Sequence, residues 1–249
     1  GTLRLEEGNS FRAPQGGLIA LKSATLALTS GVALPFTLQK LQLVDAKVIY
    51  ANNATLRCNP PLEAVRSSFT MQGSKQWPGL IAVGQAALDS CVFSGGAPSL
   101  TSKTQQTSIE RSYFYNAEVG YQAKTPPVLF DRNEFSACTT GAIIQGSGTR
   151  VQNCAFTSCE SGLELQSQKG TGFVERTVFS MNTTQGLLST GVDLRLECSR
   201  FENNASGILI SGAGINLANN AGCTFTSNVI GIEATSLDHL HLNNGHNVF

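Results

Sequence analysis

Along most of the chain the apolar positions come in short runs, and one phenylalanine marks each run. From Ala86 onward these are Phe93, Phe114, Phe135, Phe156, Phe179, Phe201, Phe225 and Phe249, at gaps of 21, 21, 21, 23, 22, 24 and 24 residues. Five positions earlier stands a large apolar residue: Leu88, Ile109, Phe130, Val151, Val174, Leu196. Two positions earlier stands a small, polar or thiol residue, as at Cys91, Ser112, Asn133, Cys154, Thr177, Ser199 and Cys223. Glycine follows about six positions after the Phe (Gly120, Gly141, Gly162, Gly207, Gly231, with Gly186 one later). Then come apolar runs such as Ile143-Ile144 and Ile208-Leu209-Ile210.

A fixed period in the low twenties, with turn residues between short apolar runs, is the signature of a solenoid. The runs alternate as strands do and lack helical spacing. A leucine-rich repeat has a similar period but needs several leucines at fixed places in each unit, and these units lack them. The pattern therefore predicts an all-β parallel β-helix of about ten coils, each 21–24 residues long. Coils stack about 4.8 Å apart, so each Phe packs on the next and the core is a column of like residues.

The units Val151-Gln-Asn-Cys-Ala-Phe156 and Leu196-Glu-Cys-Ser-Arg-Phe-Glu-Asn-Asn204, each followed by Gly-apolar-x-apolar, resemble the right-handed β-helix repeats of the pectin-lyase-like superfamily. Gln76-Trp-Pro-Gly-Leu-Ile-Ala-Val83 is similar to a coil of β-helix segments in Bacteroidetes-type secreted and surface proteins. The resemblance implies the fold and its right-handedness more strongly than a function, because the superfamily includes lyases, hydrolases, esterases, adhesins and inert spacers.

Upstream of the regular repeats the pattern is looser. Residues 1–17 are polar and glycine-rich and are expected to form a lead-in or cap, with the β-helix over 18–249. Leu18/Ala20, Leu26/Leu28, Leu41/Leu43 and Val48/Tyr50 alternate as first strands. Pro60-Pro61-Leu62-Glu63-Ala64-Val65-Arg66 is where a short helix or a longer loop would leave the solenoid. At the other end, a coil closing on Phe249 would leave an open sheet edge, so further domains of the same polypeptide, or a partner, are expected there.

Composition narrows the partners. Charged residues are 14% and the formal net charge is +0, which leaves no electrostatic footprint for nucleic acid. No apolar run is long enough for membrane insertion as a spanning helix. Of the seven cysteines, Cys91, Cys154 and Cys223 share one repeat phase and Cys138 and Cys159 another, so buried small fillers are expected. Cys138 and Cys159 fall in adjacent coils, where either stacked thiols or a disulfide would fit.

Candidate chemistry follows the same period. Four residues before each Phe stand Asp89, Glu110, Asp131, Gln152, Glu175 and Glu197, with Arg111, Arg132 and Arg176 one place later. This is either a solvated ion-pair ladder or, in an enzyme, a carboxylate set served by Arg111 and Arg132. Neighbouring coils give the separation glycosidases use, but any acidic column in this fold would do so. The resemblance implies that a lyase would pair such arginines with calcium-binding aspartates. The chain has only Asp45, Asp89, Asp131, Asp193 and Asp238, with no Asp-x-Asp. His239 and His241 share a strand face, with His246 after, and read best as exposed polar residues. Trp77, Tyr113, Tyr115 and Tyr121 are the aromatics that could stack on sugar rings; Tyr113 and Tyr115 flank Phe114 and should both point outward. Asn203-Asn204, Asn219-Asn220 and Asn243-Asn244 suggest turn ladders.

These readings converge on a non-catalytic module, extracellular or on a bacterial cell surface: a rigid spacer or adhesin contacting polysaccharide or a cell-surface glycan through Trp77, Tyr113 and Tyr115. No metal or cofactor is expected. The rival is a polysaccharide-degrading lyase or glycoside hydrolase using Asp89, Glu110, Asp131, Arg111 and Arg132, with calcium if it is lyase-like.

Overall fold

The computed structural model describes residues 1–5, 16–29, 31–34, 38–51, 54–72, 78–104, 106–125, 128–167, 170–212, 214–216, 222–235 and 240–241. Among these, the chain winds into a solenoid of three parallel sheets with 11, 10 and 11 strands. There are about nine turns, one fewer than the repeat pattern predicts.

The phenylalanine sheet runs from Thr2–Leu5 and Thr25–Leu28 through Val92–Ser94 and Tyr113–Tyr115 to Thr224–Thr226. The glycine sheet runs from Val32–Leu34 to Ile230–Ala234. The carboxylate sheet runs from Leu18–Lys22 through Ala86–Asp89, Thr107–Glu110 and Val128–Asp131 to Leu240–His241. Each strand pairs with its counterpart one coil away, in unshifted register, as in Phe93↔Phe114↔Phe135↔Phe156.

That register stacks the rings of Phe69, Phe93, Phe114, Phe135, Phe156, Phe179, Phe201 and Phe225 face to face. Their centroids are 4.5–5.1 Å apart with planes within 8° of parallel. The rings lie over glycine backbone in the adjoining sheet. A Cβ on Gly141 would meet the Gly162 carbonyl at 2.4 Å and the Phe156 ring at 2.9 Å, so these glycines are required by close approach.

Two buried ladders flank the column. Three residues after the Phe, Asn182 Nδ2 donates to Asn204 Oδ1 (2.9 Å) and Asn204 Nδ2 to Asn228 Oδ1 (2.9 Å), and each amide also donates to a Phe carbonyl. Cys159 and Cys138 continue this row as free thiols, not a disulfide. They take over the amide's role, with each Sγ 3.9 Å from the carbonyl of Phe135 or Phe114. Two residues before the Phe, Ser112, Asn133 and Cys154 accept from the backbone N–H of the preceding coil. The cysteines are thus ladder rungs as well as fillers. Of the expected asparagine doublets only the buried Asn204 is a rung; Asn203 sits at a positive-φ corner, and residues 219–220 and 243–244 lie outside the described residues.

Two expectations are corrected. Leu62–Val65 is a strand of the carboxylate sheet, neither helix nor excursion, because Leu62 and Ala64 alternate inward while Pro60 and Pro61 sit at the corner, where no ladder donor is lost. Tyr121 is wholly buried and packs edge-on to Phe130 with centroids 4.9 Å apart, so it presents nothing to a ligand.

Candidate functional site

The acidic column is a true register row. Asp89, Glu110, Asp131, Gln152, Glu175 and Glu197 pair Cα to Cα in successive strands of the carboxylate sheet. Each strand then turns into the phenylalanine sheet through a corner whose first residue has positive φ: Arg66 (47°), Ser90 (55°), Arg111 (49°), Arg132 (55°), Asn153 (54°), Arg176 (46°). A side-chain-bearing residue in that region is held at a cost of order 1–2 kcal/mol. The backbone N–H offsets it by donating to the carbonyl of the acid-row residue one coil on, as Arg111 does to Asp131 (3.0 Å) and Arg66 to Asp89 (2.9 Å). The same corner leaves its side chain beside the carboxylates.

The result is a neutralised edge. Arg111 bridges two coils, 2.7 Å from Asp89 and 3.5 Å from Glu110. Asp131 is only 13% exposed in its side chain and lies 3.5 Å from Arg132; it also accepts from Asn153 Nδ2 at 2.7 Å. Asn153 in turn accepts from Arg176 Nε at 3.0 Å, and Arg176 contacts Glu175. Further along, Arg66 grips Asp45 with two bonds of 2.7 and 3.0 Å. The Arg111 guanidinium, with help from the Ser90 hydroxyl, holds the Asp89 carboxyl below its usual range. That is opposite to the raised value a general acid needs. Calcium would need several oxygens free to converge. Here they face guanidinium and amide groups, and among the described residues no group of three His, Cys, Asp or Glu is placed to hold a metal ion. These residues do not fit a calcium site.

Around the corner from Glu110, Tyr113 and Tyr115 stand on the outer side of the phenylalanine sheet. Their rings are 5.1 Å apart and 20° from parallel, and the Tyr113 hydroxyl is 2.8 Å from Ser136 Oγ. Both are half-buried. Trp77, His239 and His246 lie outside the described residues. His241 lies in the strand Leu240–His241.

A second outward aromatic escaped the sequence reading. Phe173 on the carboxylate sheet lies between Arg150 and Arg195 of the neighbouring strands, each guanidinium 5.6 Å from its ring centroid. The signal was present, since alternation with the buried Val174 turns Phe173 outward.

The family described as "Right handed beta helix region" matches residues 81–246. The chain belongs to the right-handed β-helix family. No curated protein sequence matches it. Among solved structures it is similar to the Dettilon tailspike protein (gp208), with a TM-score of 0.59 and 11% identity over 94% of this chain and 61% of the tailspike. It also aligns with the A-module of the Azotobacter vinelandii mannuronan C-5 epimerase AlgE4, with a TM-score of 0.43 and 11% identity over 96% of this chain and 88% of the other. At such identity the tailspike likeness speaks for the fold alone. The β-helix chain described here spans less than two thirds of the tailspike it matches.

Proposed function

We propose that this β-helix is a non-catalytic module of a secreted or cell-surface protein, a rigid spacer that contacts carbohydrate without cleaving it. The observation that carries the reading is the tied-off acid row. A cleaving site needs one carboxyl held protonated and another free to attack or to activate water, whereas Asp89 is held ionised by Arg111 and Asp131 is bonded to Asn153 and Arg132. The stacked Tyr113–Tyr115 pair supports the carbohydrate part, since ring faces on a rigid sheet can pack on sugar rings while the hydroxyls bond to them.

The test is to incubate the purified chain with plant, algal and host polysaccharides, following loss of protein onto each polymer together with release of reducing or unsaturated ends. The expected result is depletion without product, weakened by Tyr113→Ala and Tyr115→Ala. Product release that a folded Asp131→Ala variant loses would overturn the reading in favour of a polysaccharide-degrading enzyme.

A further inference from the structure

The corner that joins the carboxylate sheet to the phenylalanine sheet carries polar side chains from Ser23 to Arg176. Its last two described copies differ. Cys198 takes the positive-φ position in one coil (47°) and Gly222 takes it in the next (92°). The register Arg200↔Thr224 sets these two residues side by side. Gly222 has no side chain, and the Cys198 Sγ lies over it, 3.8 Å from where a Cβ would stand. Cys223 follows Gly222 and is buried, whereas Cys198 is exposed.

The buried sulfur is turned toward the exposed residue. Cys223 belongs to the row two residues before the Phe, whose side chains accept a backbone N–H from the preceding coil, as Cys154 Sγ does from Asn133 (3.5 Å). For Cys223 the donor is the Ser199 N–H, and that nitrogen is joined to the carbonyl carbon of Cys198. The two cysteines thus flank one peptide unit. A strand spacing of about 4.8 Å and a Cα step of about 3.8 Å, taken at right angles, put their Cα atoms roughly 6 Å apart. A disulfide spans about 4.4–6.8 Å between Cα atoms.

We propose that Cys198 and Cys223 form a disulfide in the presence of a small-molecule disulfide such as oxidised glutathione, fastening the last described coil to the one before it. Cys198, the accessible sulfur, gives up its proton, and its thiolate attacks one sulfur of the donor. The donor S–S bond breaks and one glutathione leaves as a thiol, taking up the proton. Cys223 then loses its proton, attacks the Cys198 sulfur and expels the second glutathione thiol. Two protein thiols are oxidised to one disulfide, and one glutathione disulfide is reduced to two thiols. Burial pushes the Cys223 thiol up, which assigns the first attack to Cys198. Cys138 and Cys159 are both buried and offer no sulfur to start the exchange.

The bond falls where the ladder is thin. Between Thr171–Glu175 and Asp193–Glu197 the carboxylate sheet has five pairs; at the next coil it has two, Leu194↔Ile215 and Arg195↔Asn216. The inference does not depend on carbohydrate contact. It suits the secreted or surface placement proposed above, where disulfides persist.

The test equilibrates the purified chain with oxidised and reduced glutathione, alkylates it, digests it with trypsin without reduction and maps the peptides by mass spectrometry. Trypsin cuts after Arg195 and Arg200, so the expected product is peptide 196–200 joined to peptide 201–249 and separated by dithiothreitol. Cys223→Ser should leave glutathione held on Cys198 as a mixed disulfide, and Cys198→Ser should leave Cys223 unmodified. Serine already stands in the corner row at Ser90 and in the inner row at Ser112 and Ser199, so both variants suit the fold. The oxidised wild type should unfold at a higher urea midpoint than the reduced one, a difference absent from Cys198→Ser. A link through Cys138 or Cys159, glutathione persisting on Cys198 in the wild type, or no oxidation at all overturns the assignment. A Cys198–Cys223 link that leaves the midpoint unchanged overturns the fastening role.

Discussion

The phenylalanine column and the carboxylate column are made by the same operation, one residue copied at each coil and stacked at strand spacing, yet they obey opposite energetics. Inside, each added ring buries its own apolar surface and gains about 0.5–1.5 kcal/mol from its neighbour. Outside, each added carboxylate faces a like charge, which destabilises the pair. The inner column therefore needs nothing but a glycine to lie over. The outer one needs a cation or amide at the corner next to it, which is where Arg111, Arg132, Asn153 and Arg176 stand. Repetition is self-supporting in a core and must be compensated on a surface.

The strongest way to break the inner half of this contrast is Phe135→Ala, which removes a ring stacked on both sides. It should lower stability by about 3–5 kcal/mol in urea unfolding. Gly141→Ala attacks the surface beneath the rings; with its new Cβ against the Gly162 carbonyl, it should cost about 1–3 kcal/mol. Asn204→Ala interrupts the buried ladder and leaves the Asn182 N–H without its acceptor, for about 1–3 kcal/mol; restoring Asn at that position is the control.

The smallest effect belongs to the outer column. Arg111→Gln should shift the unfolding midpoint less than any of these, and added salt should shrink the shift further. Its pH dependence has a definite sign. The Asp89 carboxyl is depressed in the fold from its ordinary 3.8. Its stabilisation is therefore present above the unfolded pKa and lost as pH falls through the folded one. The difference between wild type and Arg111→Gln should be full at neutral pH and close on acidification below 3.8. A difference that persists in acid, or in molar salt, would mean that Arg111 acts by packing rather than by charge.

What the sequence made legible was whatever repeats. Phe spacing gave the solenoid, the in-phase acids gave a register row, and alternation put Tyr113 and Tyr115 outside. What stayed hidden depends on neighbours a coil away. Leu62–Val65 looked like an excursion because its prolines outweighed a four-residue alternation. Tyr121 looked like a ligand contact until the register placed it against Phe130. Cys138 and Cys159 read as buried small fillers, and only their alignment with Asn182 shows them as rungs too. A groove of about 920 Å³ along the carboxylate sheet left no motif at all, since it consists of missing bulk at Ala87 and Ser108, and absent volume becomes visible only once the strands are side by side.

The corners have one more consequence. In nine successive coils two residues join the carboxylate sheet to the phenylalanine sheet, as between Lys22 and Thr25 or Glu175 and Val178. An insertion there would move a positive-φ residue out of its bond to the next coil and slip the Phe out of its stack. The corner entering the carboxylate sheet is not so bound: it holds three residues between Ala82 and Ala86, four between Ser102 and Thr107 and two between Thr190 and Asp193. Gln85 and Gln106 sit on that elastic side. Descendants of this chain can thus lengthen or shorten that corner, coil by coil, while the locked corner keeps every strand in phase.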